Sequence, residues 1–223
     1  MASLTIRHPD ALSGQSAALL AKLSEAKWSS DLYLAGSAAL ALYLGHRPVH
    51  DLDLMSQFLR LRAIERRDLL QDLLELDADT RVETARDGFL YVRLAGGVGL
   101  RLYYYPYPLV DPESRYGGVA VASPVDLGLM KLGAIISRGT RRDFIDLYLL
   151  CQELPLSQLL RRSSAKFGHV GDFSVQALKG LADLSQIDGE PMPRLNQPME
   201  WATVEGWLRQ QAHTLGREQI GLK

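Results

Sequence analysis

The chain switches repeatedly between the two-residue period of strands and the 3.6-residue period of helices, and those switches outline its fold. Leu32-Tyr33-Leu34-Ala35 is an unbroken apolar run, long enough for a short buried strand, and Gly36-Ser37 punctuates it before the helix-forming run Ala38 to Leu44. Gly45 and Pro48 break that helix. Asp51-Leu52-Asp53-Leu54 then alternates polar with apolar, the mark of a half-buried strand. Upstream, Leu12, Leu19, Leu20, Leu23 and Ala26 recur at helical spacing over residues 10–27, with Pro9-Asp10 as the expected start. Downstream, Phe58 to Leu76 reads as an amphipathic helix whose apolar side holds Leu61, Ile64, Leu69, Leu73 and Leu76. Arg81 to Ala85 reads as a strand. Phe89 to Ala95 and Val98 to Tyr107 read as a hairpin about Gly96-Gly97, a dipeptide that supplies the positive φ such turns need.

The remainder is helical in pattern. Ser123-Pro124-Val125-Asp126 offers a serine cap, a proline at the first helical position and an acid three residues after the cap. That helix runs through Lys131 and Arg138 to Gly139, and another opens at Arg141-Arg142-Asp143. Leu156 to Lys166, Phe173 to Leu184 and a tail around Trp201, Val204, Trp207 and Leu208 follow. The pattern predicts an α+β chain: a small mixed β-sheet flanked by helices over residues 1–122, then a helical C-terminal region over residues 123–223 packed on that core.

Composition narrows the function classes. At 223 residues and 47% hydrophobic, the chain can bury a sizeable core, and its net charge of −1 creates no global field to draw nucleic acid. Any contact with RNA or DNA therefore needs a local basic face. Arg60, Arg62, Arg66 and Arg67 form one, which reads first as a solvated helix face. A lone cysteine, Cys151, excludes an internal disulfide and sits in an apolar helical stretch, so it is read as core. No signal segment or long apolar run is present, and a cytoplasmic protein without a membrane span is expected. His8, His46, His50, His169 and His213 lack ligand spacing, so no zinc site is expected.

Chemistry concentrates at the strand–turn–helix and the strand after it. Gly36 lets backbone approach a ligand, and Ser37 can cap the helix and offer its hydroxyl to a phosphate at the helix N-terminus. Asp51 and Asp53 leave one strand face about 7 Å apart, a spacing that suits one or two Mg²⁺ ions which also take triphosphate oxygens. Lys131 and Arg138, seven residues apart, lie nearly on one helix face among apolar neighbours. Lys131 suits a triphosphate as a point charge, and Arg138 suits phosphate or RNA backbone. Asp143 and Asp146 sit one turn apart at a helix start. Pairing with Arg138, Arg141 or Arg142 to lock two helices is as good a reading for them as catalysis.

Gly36-Ser37, a spacer of thirteen residues and Asp51-x-Asp53 between apolar neighbours resemble the signature of the nucleotidyltransferase β superfamily. The string Gly45-His46-Arg47-Pro48-Val49-His50-Asp51-Leu52-Asp53-Leu54 is similar to the AbiEii/AbiGii-type branch, which includes toxin components of toxin–antitoxin pairs. Lys131, Arg138, Arg142, Asp143 and Asp146 fall on that branch's later pattern. Met192-Pro193 with Glu200-Trp201 resembles its end. The resemblance implies a nucleoside triphosphate substrate, Mg²⁺ or Mn²⁺, transfer of a nucleotidyl group to a hydroxyl of RNA (a tRNA 3′ end among them) or of a protein, and a cognate antitoxin as partner. It implies that Asp51 and Asp53 hold metal and act in catalysis with Lys131 and Asp146. Nucleotide binding then falls to Gly36, Ser37, Arg47, Lys131 and Arg138, with Arg142 and Asp143 structural or catalytic. Many members of the superfamily carry a third acid on a later strand. Here the nearest residues by position, Arg101 and Tyr103, are not acidic, and Glu83 need not lie beside Asp51. Two carboxylates still hold a metal that keeps waters and substrate oxygens. The alternatives are a catalytically degenerate nucleotide- or partner-binding module and a small-molecule nucleotidyltransferase of the antibiotic-modifying kind.

Overall fold

The structure is a computed structural model that describes residues 5–219. The chain divides into two compact units, the first ending at Ser123 and the second starting at Pro124.

The first unit is built on a seven-stranded mixed sheet: β1 (Tyr33–Ala35), β2 (Leu52–Ser56), β3 (Arg81–Arg86), β4 (Phe89–Arg93), β5 (Gly99–Tyr104), β6 (Ser114–Tyr116) and β7 (Val119–Val121), in the order β3-β4-β5-β2-β1-β7-β6. The β1–β7 and β2–β5 pairs are parallel and the others antiparallel. Alternation divides its two faces. Leu34, Leu52, Leu54, Leu90, Val92, Leu100 and Leu102 are buried together on one, each worth about 1.5–3 kcal/mol relative to exposure. Asp53, Met55, Arg101, Tyr103, Phe89 and Tyr91 face the other way and stay half-buried. Helix α1 (Gly14–Leu23) packs near β7, and α2 (Gly36–Leu44) packs on β1 and β2 and is buried from Ala38 to Tyr43.

Two helix starts lie later than their periodicity suggests. Helix α1 begins at Gly14 because Ser13 caps it, its hydroxyl accepting the Ser16 N–H at 3.1 Å, while Leu12 is held extended in a bridge to Val49. Helix α3 (Ala63–Leu76) begins five residues after Phe58. The Ser56 hydroxyl accepts the N–H groups of Phe58 and Leu59 at 3.1 and 2.9 Å, and Leu61 takes a left-handed φ of 53°, so the chain turns before it can wind. Phe58 and Ile64 are consequently 74% and 64% exposed rather than part of an apolar stripe. Strands β6 and β7, joined by Gly117-Gly118 at φ 57° and 82°, have three residues each, too few for a period to show.

The second unit is helical: α4 (Pro124–Ser137), α5 (Arg141–Cys151), α6 (Leu156–Phe167), α7 (Phe173–Ala182) and α8 (Trp201–Gln219). Asp126, at the start of α4, accepts a 2.8 Å hydrogen bond from Lys166 of α6, and both side chains are fully buried. Cys151, at the end of α5, is partly buried, and that burial pushes its thiol up to about 12, away from a thiolate nucleophile. Among the described residues no helix is long and apolar enough to cross a membrane.

Candidate active site

In the first unit the register of β2 against its neighbours assembles one cluster. Asp53 pairs with Ala35 across the antiparallel β1 and with Arg101 across the parallel β5, so Arg101 projects on the carboxylate face. Its Nη2 donates to Asp51 Oδ2 at 2.8 Å, and its Nη1 lies 3.5 Å from Asp53 Oδ1. The guanidinium also stacks 4.6 Å from the centre of the Tyr91 ring on β4. Burial lowers the affinity of Arg101 for its proton, but the charges of Asp53 and Asp51 outweigh that and raise its pKa.

Each carboxylate is flanked by a glycine. A Cβ added to Gly36, whose φ is +60°, would stand 2.4 Å from Asp53 Oδ2, and one added to Gly99 would stand 2.8 Å from Asp51 Oδ1. The Gly99 N–H donates to that same Asp51 oxygen at 3.0 Å. Two half-buried carboxylates packed against glycines present hard oxygen donors, the type that Mg²⁺ or Mn²⁺ prefers; among the described residues no group of three or more His, Cys, Asp or Glu gathers to hold an ion, so these two suit one that takes its other ligands from water or substrate oxygens. Gly36→Ala should therefore cost about 1–3 kcal/mol for the left-handed backbone alone and also push Asp53 aside. Denaturant unfolding checks the first effect and the second appears as a larger loss of activity than of stability.

Helix α2 starts at Gly36, with Ala35 as its cap residue, so Ser37 lies inside the first turn and is not the cap. The Ser37 hydroxyl instead accepts a hydrogen bond from the guanidinium of Arg47, which brings two of the expected nucleotide-binding residues together. Gly36 and Ser37 are the half-buried, reachable start of a helix that is otherwise almost wholly interior. His50 is turned to α1, its Nδ1 3.0 Å from the Ser13 hydroxyl. Glu83 lies on the edge strand β3, separated from β2 by the two strands β4 and β5, and binds Arg93 at 2.9 Å; no third acid reaches the pair from there.

Within the second unit, Lys131, Asp143 and Asp146 cluster. Lys131 of α4 is buried, its Nζ 2.7 Å from Asp146 Oδ2 and 2.9 Å from Asp143 Oδ1, both on α5. The other oxygen of Asp143 accepts the Thr140 hydroxyl at 2.7 Å and the Thr140 N–H at 3.1 Å, which closes a capping box on α5. Burial would lower the pKa of Lys131, but Asp146 and Asp143 together raise it; burial would raise that of Asp143, but Lys131 holds it down. Lys131 thus ties both acids of α5 to α4. Arg138 and Arg142 are exposed, and among the described residues their side chains enter no ion pair or hydrogen bond.

Arg101, Gly99 and Tyr91 are the site residues that sequence reasoning left out. The signal was present: Gly99-Leu100-Arg101-Leu102 alternates in phase with Asp51-Leu52-Asp53-Leu54, which becomes informative only once the two strands are known to be neighbours.

The family described as nucleotidyl transferase AbiEii toxin, type IV TA system, matches residues 18–211. An uncharacterised protein of Aquifex aeolicus is 28% identical over 150 residues, covering 66% of this chain and 70% of that one. Among solved structures, a candidate nucleotidyltransferase from Helicobacter pylori superposes with a TM-score of 0.58 at 18% identity, covering 95% of this chain and 99% of that one. MenT4, a nucleotidyltransferase toxin from Mycobacterium tuberculosis, gives 0.57 at 17% identity over 88% of this chain and 82% of that one. At these identities the two structures establish the shared fold.

Proposed function

The chain belongs to the AbiEii nucleotidyltransferase toxin family, and on that premise we propose that it transfers a nucleotidyl group from a nucleoside triphosphate to a hydroxyl of RNA, as the toxin of a toxin–antitoxin pair. The observation that carries this reading is the pair of glycine-flanked carboxylates, Asp51 and Asp53, with the reachable N-terminus of α2 beginning at the glycine that flanks Asp53. A Mg²⁺ or Mn²⁺ ion held by Asp51 and Asp53 would supply positive charge to triphosphate oxygens. The N–H groups at the start of α2 favour an anion there, and Arg47, through Ser37, adds a cation beside them. The acceptor hydroxyl attacks the α-phosphorus in line, the bond to the bridging α–β oxygen breaks, pyrophosphate leaves and the hydroxyl proton passes to solvent. Most of the rate gain comes from orientation and charge neutralisation.

In the second unit the charge of Lys131 is already committed to Asp146 and Asp143, so its proposed role is to set α4 against α5. Exposed Arg138 and Arg142 are among the cations of that unit able to contact phosphate. The acceptor on this reading is an RNA hydroxyl, a tRNA 3′ end among them, with a protein hydroxyl as the alternative, and a cognate antitoxin is the expected partner. A cytoplasmic setting supplies triphosphate and RNA alike.

Incubating the purified protein with Mg²⁺, each α-labelled triphosphate in turn and total RNA should place label on RNA. Label on protein or only on small hydroxylated compounds would overturn the RNA assignment. A second reading, a nucleotide-binding module without transfer, is favoured by one observation, the Arg101 guanidinium on both carboxylates. Triphosphate binding with no transfer to any acceptor would establish it.

A further inference from the structure

We propose that Arg101 is the resident cation of the Asp51/Asp53 centre and limits it to one divalent ion. This rests on the reading that those two carboxylates hold the metal. Arg101 occupies the position on β5 from which a third carboxylate would face Asp53, since the two residues are directly paired in the parallel β2–β5 ladder. The guanidinium does more than fill space there. One nitrogen donates to Asp51 at 2.8 Å, another stands 3.5 Å from Asp53, and the plane lies over the Tyr91 ring at 4.6 Å, so two carboxylates and an aromatic face fix it.

Formal charge shows what this exchange does. Three carboxylates with two divalent ions carry one net positive charge, and two carboxylates with one arginine and one divalent ion carry the same. The arginine therefore supplies, as part of the protein, the balance that a third acid and a second ion would supply together. A second divalent ion would find no third carboxylate on this strand position and would face the guanidinium in a half-buried site, where repulsion between cations is only partly screened. Without any ion, the same guanidinium offsets the mutual repulsion of Asp51 and Asp53 and positions them. Arg101 is in this sense a positioning residue and a competitor of the metal at once.

The test is a Mn²⁺ titration of the full-length protein without nucleotide, following free Mn²⁺ by electron paramagnetic resonance. The native protein should bind one ion per chain. Arg101→Gln, similar in reach and neutral, should bind it at least tenfold more tightly, and Arg101→Lys should stay near the native affinity. Two ions per native chain, or an Arg101→Gln affinity within threefold of native, would overturn the proposal while leaving the carboxylate reading in place. Binding that persists unchanged in Asp53→Asn would instead overturn the carboxylate reading itself, and so would the absence of saturable binding in both native and Arg101→Gln proteins. Should Arg101→Gln fail to fold, the native stoichiometry still decides between one ion and two.

Discussion

Asp53→Asn is expected to lower nucleotidyl transfer about 10²–10³-fold, the range lost when one strong charge-stabilising contact is removed from a reaction centre. The substitution keeps the shape of the side chain and removes only the charge. Arg101 retains its 2.8 Å contact to Asp51, and Asp53 is half-exposed, so little stability should be lost with it. Asp51→Asn is the less clean variant because Asp51 also accepts the Gly99 N–H at the start of β5, which ties it to the backbone as well as to the chemistry. Labelled transfer measured beside the thermal midpoint separates the two effects. Activity within tenfold of native in a folded Asp53→Asn protein would remove this carboxylate from the reaction.

Lys131→Met is expected to destabilise the protein by about 3–5 kcal/mol, since it strands two buried carboxylates without their counter-charge. Adding Asp143→Asn and Asp146→Asn to it should recover most of that loss, because the cost lies in the unpaired charges rather than in the missing contact. Urea unfolding of the single and triple variants measures both. The pH dependence carries a definite sign. The pKa of Asp143 is held below its ordinary 3.8, so its contribution is present above that value and is lost as pH falls through the lowered one. The pKa of Lys131 is raised above its ordinary 10.5, so its contribution is present below that value and is lost as pH rises through the raised one. The gap between native and Lys131→Met proteins should thus be widest between these limits and close at both ends. A dead Lys131 or Asp146 variant is informative about chemistry only when it is shown to be folded.

What could be read from the sequence was whatever local order encodes. The strand–glycine–helix turn and the alternation of Asp51-x-Asp53 were visible because period and punctuation are local properties. The glycine hairpin between β4 and β5 was visible for the same reason: Gly96 and Gly97 sit at φ 75° and 81°. Helix starts at α1 and α3 were misplaced because apolar spacing continues past the point where a serine side chain, Ser13 or Ser56, captures the backbone N–H groups. The partner of Asp143 and Asp146 was hidden behind nearer arginines. Lys131, more than three helical turns back along the chain, reaches them only because α4 and α5 fold against each other. Arg101 was the least legible, since its meaning depends on β5 lying beside β2 in parallel, a pairing that skips α3, β3 and β4 in sequence.

The close approach of Gly36 to Asp53 links two positions that a sequence comparison would score independently. While an aspartate stands at 53, a side chain at 36 collides with it. Once a smaller neutral residue replaces that aspartate, the clash with the carboxylate disappears, and the cost of the left-handed turn and a tight approach to the Cβ at 53 still restrain the glycine. Descendants that abandon the chemistry should therefore lose the acid first and the glycine afterwards. The reverse order passes through a protein that is crowded and still charged, so an intact glycine beside a missing acid marks a recent loss of function, and a missing glycine an old one.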